Sequence, residues 1–120
     1  RILFVDDHAP TRSTVARLLE RRGYDVTAAA SIAEALRRAE GKSFDAVVSD
    51  LGLPDGDGCV LMRQLRQGQP ALAGIAISGY GMDSDLMRTR EAGFDHHLTK
   101  PISIDSLSRT LHRLLSAERK

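Results

Sequence analysis

The sequence predicts an α/β fold in three layers, a doubly wound parallel sheet of five strands with helices on both faces. Three observations predict it. Short apolar runs alternate along the chain with longer stretches of helical period. The runs ILFV, AVV and IAI are apolar without alternation, as strands covered on both faces can be. A helix follows each run, and parallel neighbours need a crossover of about a dozen residues. Right-handed crossovers then distribute the helices over both faces.

Each element has its own grounds. Ile2-Leu3-Phe4-Val5 is rich in strand formers. Pro10 to Arg22 sets Val15, Leu18, Leu19 and Arg22 at helical spacing, with Gly23 as a stop. Tyr24 to Ala29 reads as a second, weaker strand. Ser31-Ile32-Ala33-Glu34 matches a capping box and opens a helix with Ile32, Ala35, Leu36 and Ala39 on one face, ended by Gly41. The third strand is Asp45 to Ser49. A turn-rich loop, Leu51 to Gly58, leads to a helix carrying Val60, Leu61 and Leu65 and stopped by Gly68. Ala73 to Ile77 is the fourth strand. A helix from Ser84 to Ala92 sets Leu86, Met87 and Arg90 on one side, with Gly93 after it. Phe94 to Leu98 is the fifth strand. The last helix carries Ile104, Leu107, Leu111, Leu114 and Leu115 as a core stripe beyond the cap candidate Ser103.

Composition bounds the function. The 120 residues make one domain-sized unit, 1–120, and 42% hydrophobic with 28% charged residues excludes disorder and fibrous repeats. Seventeen basic against sixteen acidic residues leave a formal charge of +1, no reason to expect nucleic acid or an anionic membrane as partner. The basic pairs Arg21-Arg22 and Arg37-Arg38 read as solvated helix faces, Met82 and Met87 as packing residues, and His8 and His96 as exposed loop residues. No apolar stretch approaches the ~18 residues of a membrane span, and no signal peptide is visible. The single Cys59 excludes an internal disulfide and suits a reducing cytosol, so a cytoplasmic site is expected. The start at Arg1, without Met, reads as a fragment of a longer chain.

In open α/β sheets the ligand site lies beyond the carboxyl ends of the strands. Strand one runs out into Asp6-Asp7, strand three into Asp50, strand four into Ser78-Gly79, and strand five into Thr99-Lys100-Pro101. Crowded carboxylates need positive charge between them. Lys100 and a bound divalent metal are the two candidates. Oxygen donors favour a hard cation, and Mg²⁺ needs few protein ligands because it keeps several waters. His8, His96, His97 and His112 lack zinc spacing, and Asp55-Gly56-Asp57-Gly58 lacks the closing Glu of an EF-hand. A carboxylate facing a metal and an ammonium can attack phosphorus and form an acyl phosphate. Asp50, at the middle strand end, is the best-placed nucleophile; Ser78 can donate to a phosphoryl oxygen, and Gly79 leaves room for access.

FVDDH, VVSDLGLPDGDG, AISGYG and HHLTKPI, in that order and each at a strand end, resemble the response-regulator receiver domains of two-component signalling over essentially the whole chain. The resemblance implies the strand order 2-1-3-4-5. It also implies Asp50 as phosphoacceptor, Asp7 and Asp50 as direct Mg²⁺ ligands, Asp6 acting through a metal-bound water, and Gly52 offering its backbone carbonyl. Lys100 would pair with the acceptor and then with the phosphoryl group, Ser78 would be the switch hydroxyl, and Lys100–Pro101 would be cis. Receivers usually carry Tyr or Phe three residues before the lysine. Here the position is His97, which leaves open whether it is a switch residue or surface filler.

The implied phosphodonor is a histidine kinase or a histidine phosphotransfer domain. The added negative charge would draw Ser78 inward and reshape the face of helix four, strand five and helix five, where partners or a weak homodimer would form. Such a domain catalyses only its own phosphorylation and dephosphorylation. GLPDGDG, SGYG and AGFDHHLTKPI resemble receivers at the carboxyl end of hybrid sensor histidine kinases, and the chain stops after one polar turn, Ala117 to Lys120. A hybrid-kinase receiver is therefore the expected context, with a stand-alone or effector-linked regulator as alternative. A degenerate receiver acting only as an interaction module is a further reading, opposed by the intact acidic pair, acceptor and lysine. A haloacid-dehalogenase-like phosphatase would need a DxD nucleophile where this chain has Asp6-Asp7-His8. A flavodoxin-type FMN binder would need hydroxyls and glycine in the acidic first loop.

Overall fold

The computed structural model describes residues 1–79 and 83–118. The first strand, β1 (Ile2–Val5), is buried at every residue, because both of its faces are covered. The chain then passes through α1 (Ala9–Arg21), β2 (Val26–Ala29), α2 (Ile32–Ala39), β3 (Ala46–Asp50), α3 (Gly58–Gly68), β4 (Ala73–Ser78), α4 (Asp83–Ala92), β5 (His96–Thr99) and α5 (Ile104–Glu118). The five strands are all parallel in the order β2-β1-β3-β4-β5, which is the expected doubly wound topology. β3 therefore lies in the middle, with Asp50 paired to Ile77 at its carboxyl end.

The pleat explains the unbroken apolar runs. Ile2, Phe4, Ala46, Val48, Ile75 and Ile77 point to one face and meet Val15 and Leu19 of α1 and Leu107 and Leu111 of α5. Leu3, Val5, Val47 and Ala76 point to the other and meet Ile32 and Ala35 of α2 with Leu61, Met62 and Leu65 of α3. Each fully buried aliphatic or aromatic side chain contributes about 1.5–3 kcal/mol to this two-sided core. Cys59 belongs to the second cluster, and burial pushes its thiol up to about 11, so it stays protonated as a packing group.

Several boundaries differ from the expectations. β2 starts at Val26, β3 runs on through Asp50 and β4 through Ser78. β5 covers His96–Thr99, so His96 is a strand residue; Phe94, taken for a strand residue, is buried in the preceding turn. α4 packs through Thr89 and Ala92, each 3% exposed, whereas Met87 is 72% exposed and does not pack. Met82 and the side chain of Leu86 lie outside the described residues. His8 does more than line a loop: it is the N-cap of α1, its Nδ1 facing the Thr11 amide. Ser31 caps α2 as expected, but Glu34 reaches past it to accept from the Ala30 amide. Gly68 is the last residue of α3 and Gln69 its cap.

The segment after Asp50 is more than a string of turns. Gly52–Leu53 and Gly56–Asp57 form a short antiparallel ladder, with Leu51 and Leu53 buried beneath it. Asp55 accepts hydrogen bonds from the Ile32 and Ala33 amides at 2.9 and 3.0 Å, adding a second cap to α2 from across the chain. Asp57 caps α3 through one oxygen, to the Cys59 amide at 2.8 Å, and pairs with Arg88 of α4 through the other. Gly58 closes the segment against β3: a Cβ there would lie 2.5 Å from the Asp50 carbonyl oxygen. We expect Gly58→Ala to destabilise the fold by about 1–3 kcal/mol, because the obstacle is backbone and cannot swing away. Chemical denaturation checks this, and an unchanged midpoint would contradict the close approach.

Candidate functional site

Parallel strands put their carboxyl ends on one edge, and that edge gathers the polar residues. Asp6 and Asp7 follow β1, Asp50 ends β3, Ser78 ends β4, and Lys100 follows β5. Carboxylate oxygens of Asp6, Asp7 and Asp50 all lie within 4.8 Å of one another. Asp6 and Asp50 are buried, at 1% and 5% exposure, while Asp7 faces solvent. The Lys100 ammonium sits 2.6 Å from Asp50 Oδ2. Asp50 Oδ1 accepts from the Gly52 amide at 3.1 Å.

Neighbouring groups hold the acidic residues in place. Asp6 Oδ1 accepts from the His8 amide at 2.9 Å, and the Arg12 guanidinium donates to the Asp6 carbonyl at 2.8 Å. Ser49 Oγ donates to the Asp50 carbonyl at 2.9 Å. The Lys100 amide donates to the Ser78 carbonyl at 2.9 Å, and Lys100–Pro101 is cis as the resemblance implied. Ser78 Oγ stands 2.7 Å from His97 Nε2, so His97 is no surface filler.

Electrostatics follow from this crowding. Burial pushes the Asp6 carboxyl above its ordinary 3.8; the His8 amide opposes that, and the Asp50 charge adds to it. Lys100 is raised above 10.5, chiefly by its hydrogen bond to Asp50. The lysine's share of that pairing is undiminished at neutral pH and is lost as pH rises from 10.5 through the higher folded value. Three carboxylate oxygen donors, one of them buried on Asp6, fit a small divalent cation better than a soft metal.

The structure thus brings together Asp6, Asp7, Asp50 and Lys100 and places Ser78 with His97 at the adjoining strand ends. Sequence reasoning missed His8, Arg12, Asp55 and Gly58 as supports of the site. Asp55 and Gly58, both in the run PDGDG, carried a local signal, and it reads equally as turn chemistry. Arg12 of α1 reaches back to the Asp6 carbonyl, and His8 acts through its own amide two residues on from Asp6.

Comparison with known proteins agrees with this fold. Residues 2–112 match the family model of the response regulator receiver domain. The chain is 38% identical to the sensor kinase CckA of Brucella abortus, covering 98% of this chain and 13% of that protein. It is 36% identical to the transcriptional regulatory protein KdpE of Escherichia coli, covering 92% of this chain and 48% of that one. The chain therefore spans less than half the length of these curated relatives. Among solved structures, a CheY-like receiver domain protein from Methanospirillum hungatei superposes with a TM-score of 0.94 at 28% identity, over 99% of this chain and 95% of that one. A response regulator from Burkholderia pseudomallei with a phosphorylated aspartic acid and a calcium ion gives 0.87 at 31% identity, over 98% and 69%.

A raised carboxyl makes the folded state hold its proton more tightly than the unfolded one, so stability falls as pH rises from 3.8 through the folded value of Asp6. At neutral pH the ionised Asp6 is a cost. Asp6→Asn keeps an acceptor for the His8 amide and removes the charge. We expect its melting temperature in chelator at pH 7 to exceed that of wild type. The gap should narrow as pH is lowered toward 4 or as Mg²⁺ is added. Thermal melts check both trends, and a destabilised variant at pH 7 would contradict them.

Proposed function

The chain belongs to the response regulator receiver domains of two-component signalling, and from that premise we propose that Asp50 is its phosphoacceptor. One observation carries the reading: the 2.6 Å contact of Lys100 Nζ with Asp50 Oδ2, beside the clustered carboxylates of Asp6 and Asp7. Receiver domains take phosphoryl groups from histidine kinases or phosphotransfer proteins. Here a carboxylate oxygen of Asp50 attacks the phosphorus of a phosphohistidine. The O–P bond forms, the P–N bond breaks, and its electron pair goes to the departing imidazole. Lys100, already charged and in place, moves its pairing to the phosphoryl oxygens, and the Ser78 hydroxyl donates a further hydrogen bond.

Mg²⁺ is the cofactor of this reading. Asp7 and Asp50 would bind it directly, Asp6 through water, and Gly52 through its carbonyl. When bound, it neutralises charge on the transferring group. A groove between α1 and the turn after β5, lined by Pro10, Val15, Pro101 and Ile102, opens beside Asp6 and Lys100 and gives a donor helix an apolar floor. Ser78 and His97 then form the switch. The surface of α4, β5 and α5 is the readout face, with a weak homodimer as one of its states.

We place the domain in a cytoplasmic hybrid sensor histidine kinase. The similarity to a sensor kinase over nearly the whole segment supports this, and the similarity to KdpE supports an effector-linked regulator instead. Among the described residues no helix is long and apolar enough to cross a membrane. The reading frame on either side of the segment decides between the two contexts.

Beryllofluoride with Mg²⁺ tests the acceptor directly. Wild type should bind it only when Mg²⁺ is present, and acetyl phosphate should label Asp50. Asp50→Asn should abolish labelling, and Lys100→Ala should lower it about 10–100-fold by removing one preorganised charge. Labelling that survives Asp50→Asn, measured by intact mass, would overturn the assignment.

A further inference from the structure

The register that pairs Ala76 with His97 and Ser78 with Thr99 brings the His97 ring within reach of the Ser78 side chain. Ser78 Oγ makes two short contacts, 2.7 Å to His97 Nε2 and 3.1 Å to the Gly79 carbonyl oxygen. A serine hydroxyl has one proton to give and lone pairs to receive. The Gly79 carbonyl can only accept. Both contacts are hydrogen bonds together in one arrangement: His97 Nε2–H donates to Ser78 Oγ, and the Ser78 hydroxyl donates to Gly79. With the ring proton on Nδ1 instead, Ser78 would have to donate to Nε2. Two oxygens 3.1 Å apart would then face each other with no proton between them. Ser78 is only 5% exposed, so its hydroxyl finds its partners within the protein.

We propose that His97 is the positioning residue for the Ser78 hydroxyl, an inference that rests on the reading of Asp50 as phosphoacceptor. By donating into one lone pair, His97 commits the serine proton to an acceptor on the other side. That acceptor is the Gly79 carbonyl at rest and a phosphoryl oxygen once Asp50 is modified. The ring bond persists while the hydroxyl turns, so the proton is always presented outward. A Phe at this place has no such donor. The neutral Nε2–H ring and the imidazolium both carry the needed proton. The arrangement therefore does not depend on charge from the groups sharing the ring's groove, Arg90 of α4 with Asp95 and His96 beside it.

Two measurements test this. Heteronuclear NMR of the ¹⁵N-labelled histidine rings reads which nitrogen of His97 holds the proton. We expect the neutral ring to hold it on Nε2, and Nδ1–H overturns the proposal. Beryllofluoride affinity with Mg²⁺ is then compared for wild type, His97→Gln and His97→Phe. The Gln amide offers an N–H where Nε2 lies. We expect Phe to weaken binding roughly 3–10-fold, the range one hydrogen bond spans, and Gln to recover most of it. Equal affinity for Phe and wild type overturns the positioning role. If no protein of the set, wild type included, binds beryllofluoride, the acceptor reading fails instead, and the ring tautomer still decides this one.

Discussion

Like charge gathered at one edge of a parallel sheet is the constraint from which the rest of the molecule follows. β1 and β3 are adjacent and run the same way, so residues at their carboxyl ends are neighbours whether or not their charges agree. Asp6, Asp7 and Asp50 are brought together by topology, against their own repulsion. Lys100, carried by an edge strand two places away in the sheet, supplies the opposing charge. The repulsion that remains is tolerated because the apolar layers on both sides of the sheet are extensive and well filled. The site thus spends local stability that the core provides.

Rigidity makes this crowding persist. A free loop after Asp50 would relax and let its carboxylate drift away from Asp6. Here the following residues are pinned at three places: Asp55 on the start of α2, Asp57 on the start of α3, and Gly58 against the Asp50 carbonyl. Ser49 holds the same carbonyl from the strand side. Backbone and caps, more than packing of the aspartates themselves, fix where the charges stand.

What the sequence makes legible is the repeating pattern and what hangs directly on it. Strand ends follow from apolar runs, so Asp6, Asp7, Asp50, Ser78 and Lys100 can be placed on one edge before any coordinates are known. Contacts between elements leave no periodic trace. Asp55 reads as a turn residue, and only the approach of α2 makes it a cap. Phe94 has the composition of a strand residue, yet it is buried from a turn while the polar pair His96-His97 forms the strand. Met87 looks like core on a helical wheel, but among the described side chains of α4 the buried ones are Thr89 and Ala92. His97 was ambiguous because its meaning lies in a partner nineteen residues away in sequence.

Asp57 divides its two carboxylate oxygens between helices, Oδ1 for the Cys59 amide and Oδ2 for Arg88. One attachment belongs to the platform that carries the acceptor, and the other to α4, beside the proposed readout surface. The two attachments are separable: loss of the Arg88 contact would leave the cap on the first turn of α3 in place. One carboxylate thus serves as a pin common to the door and its frame.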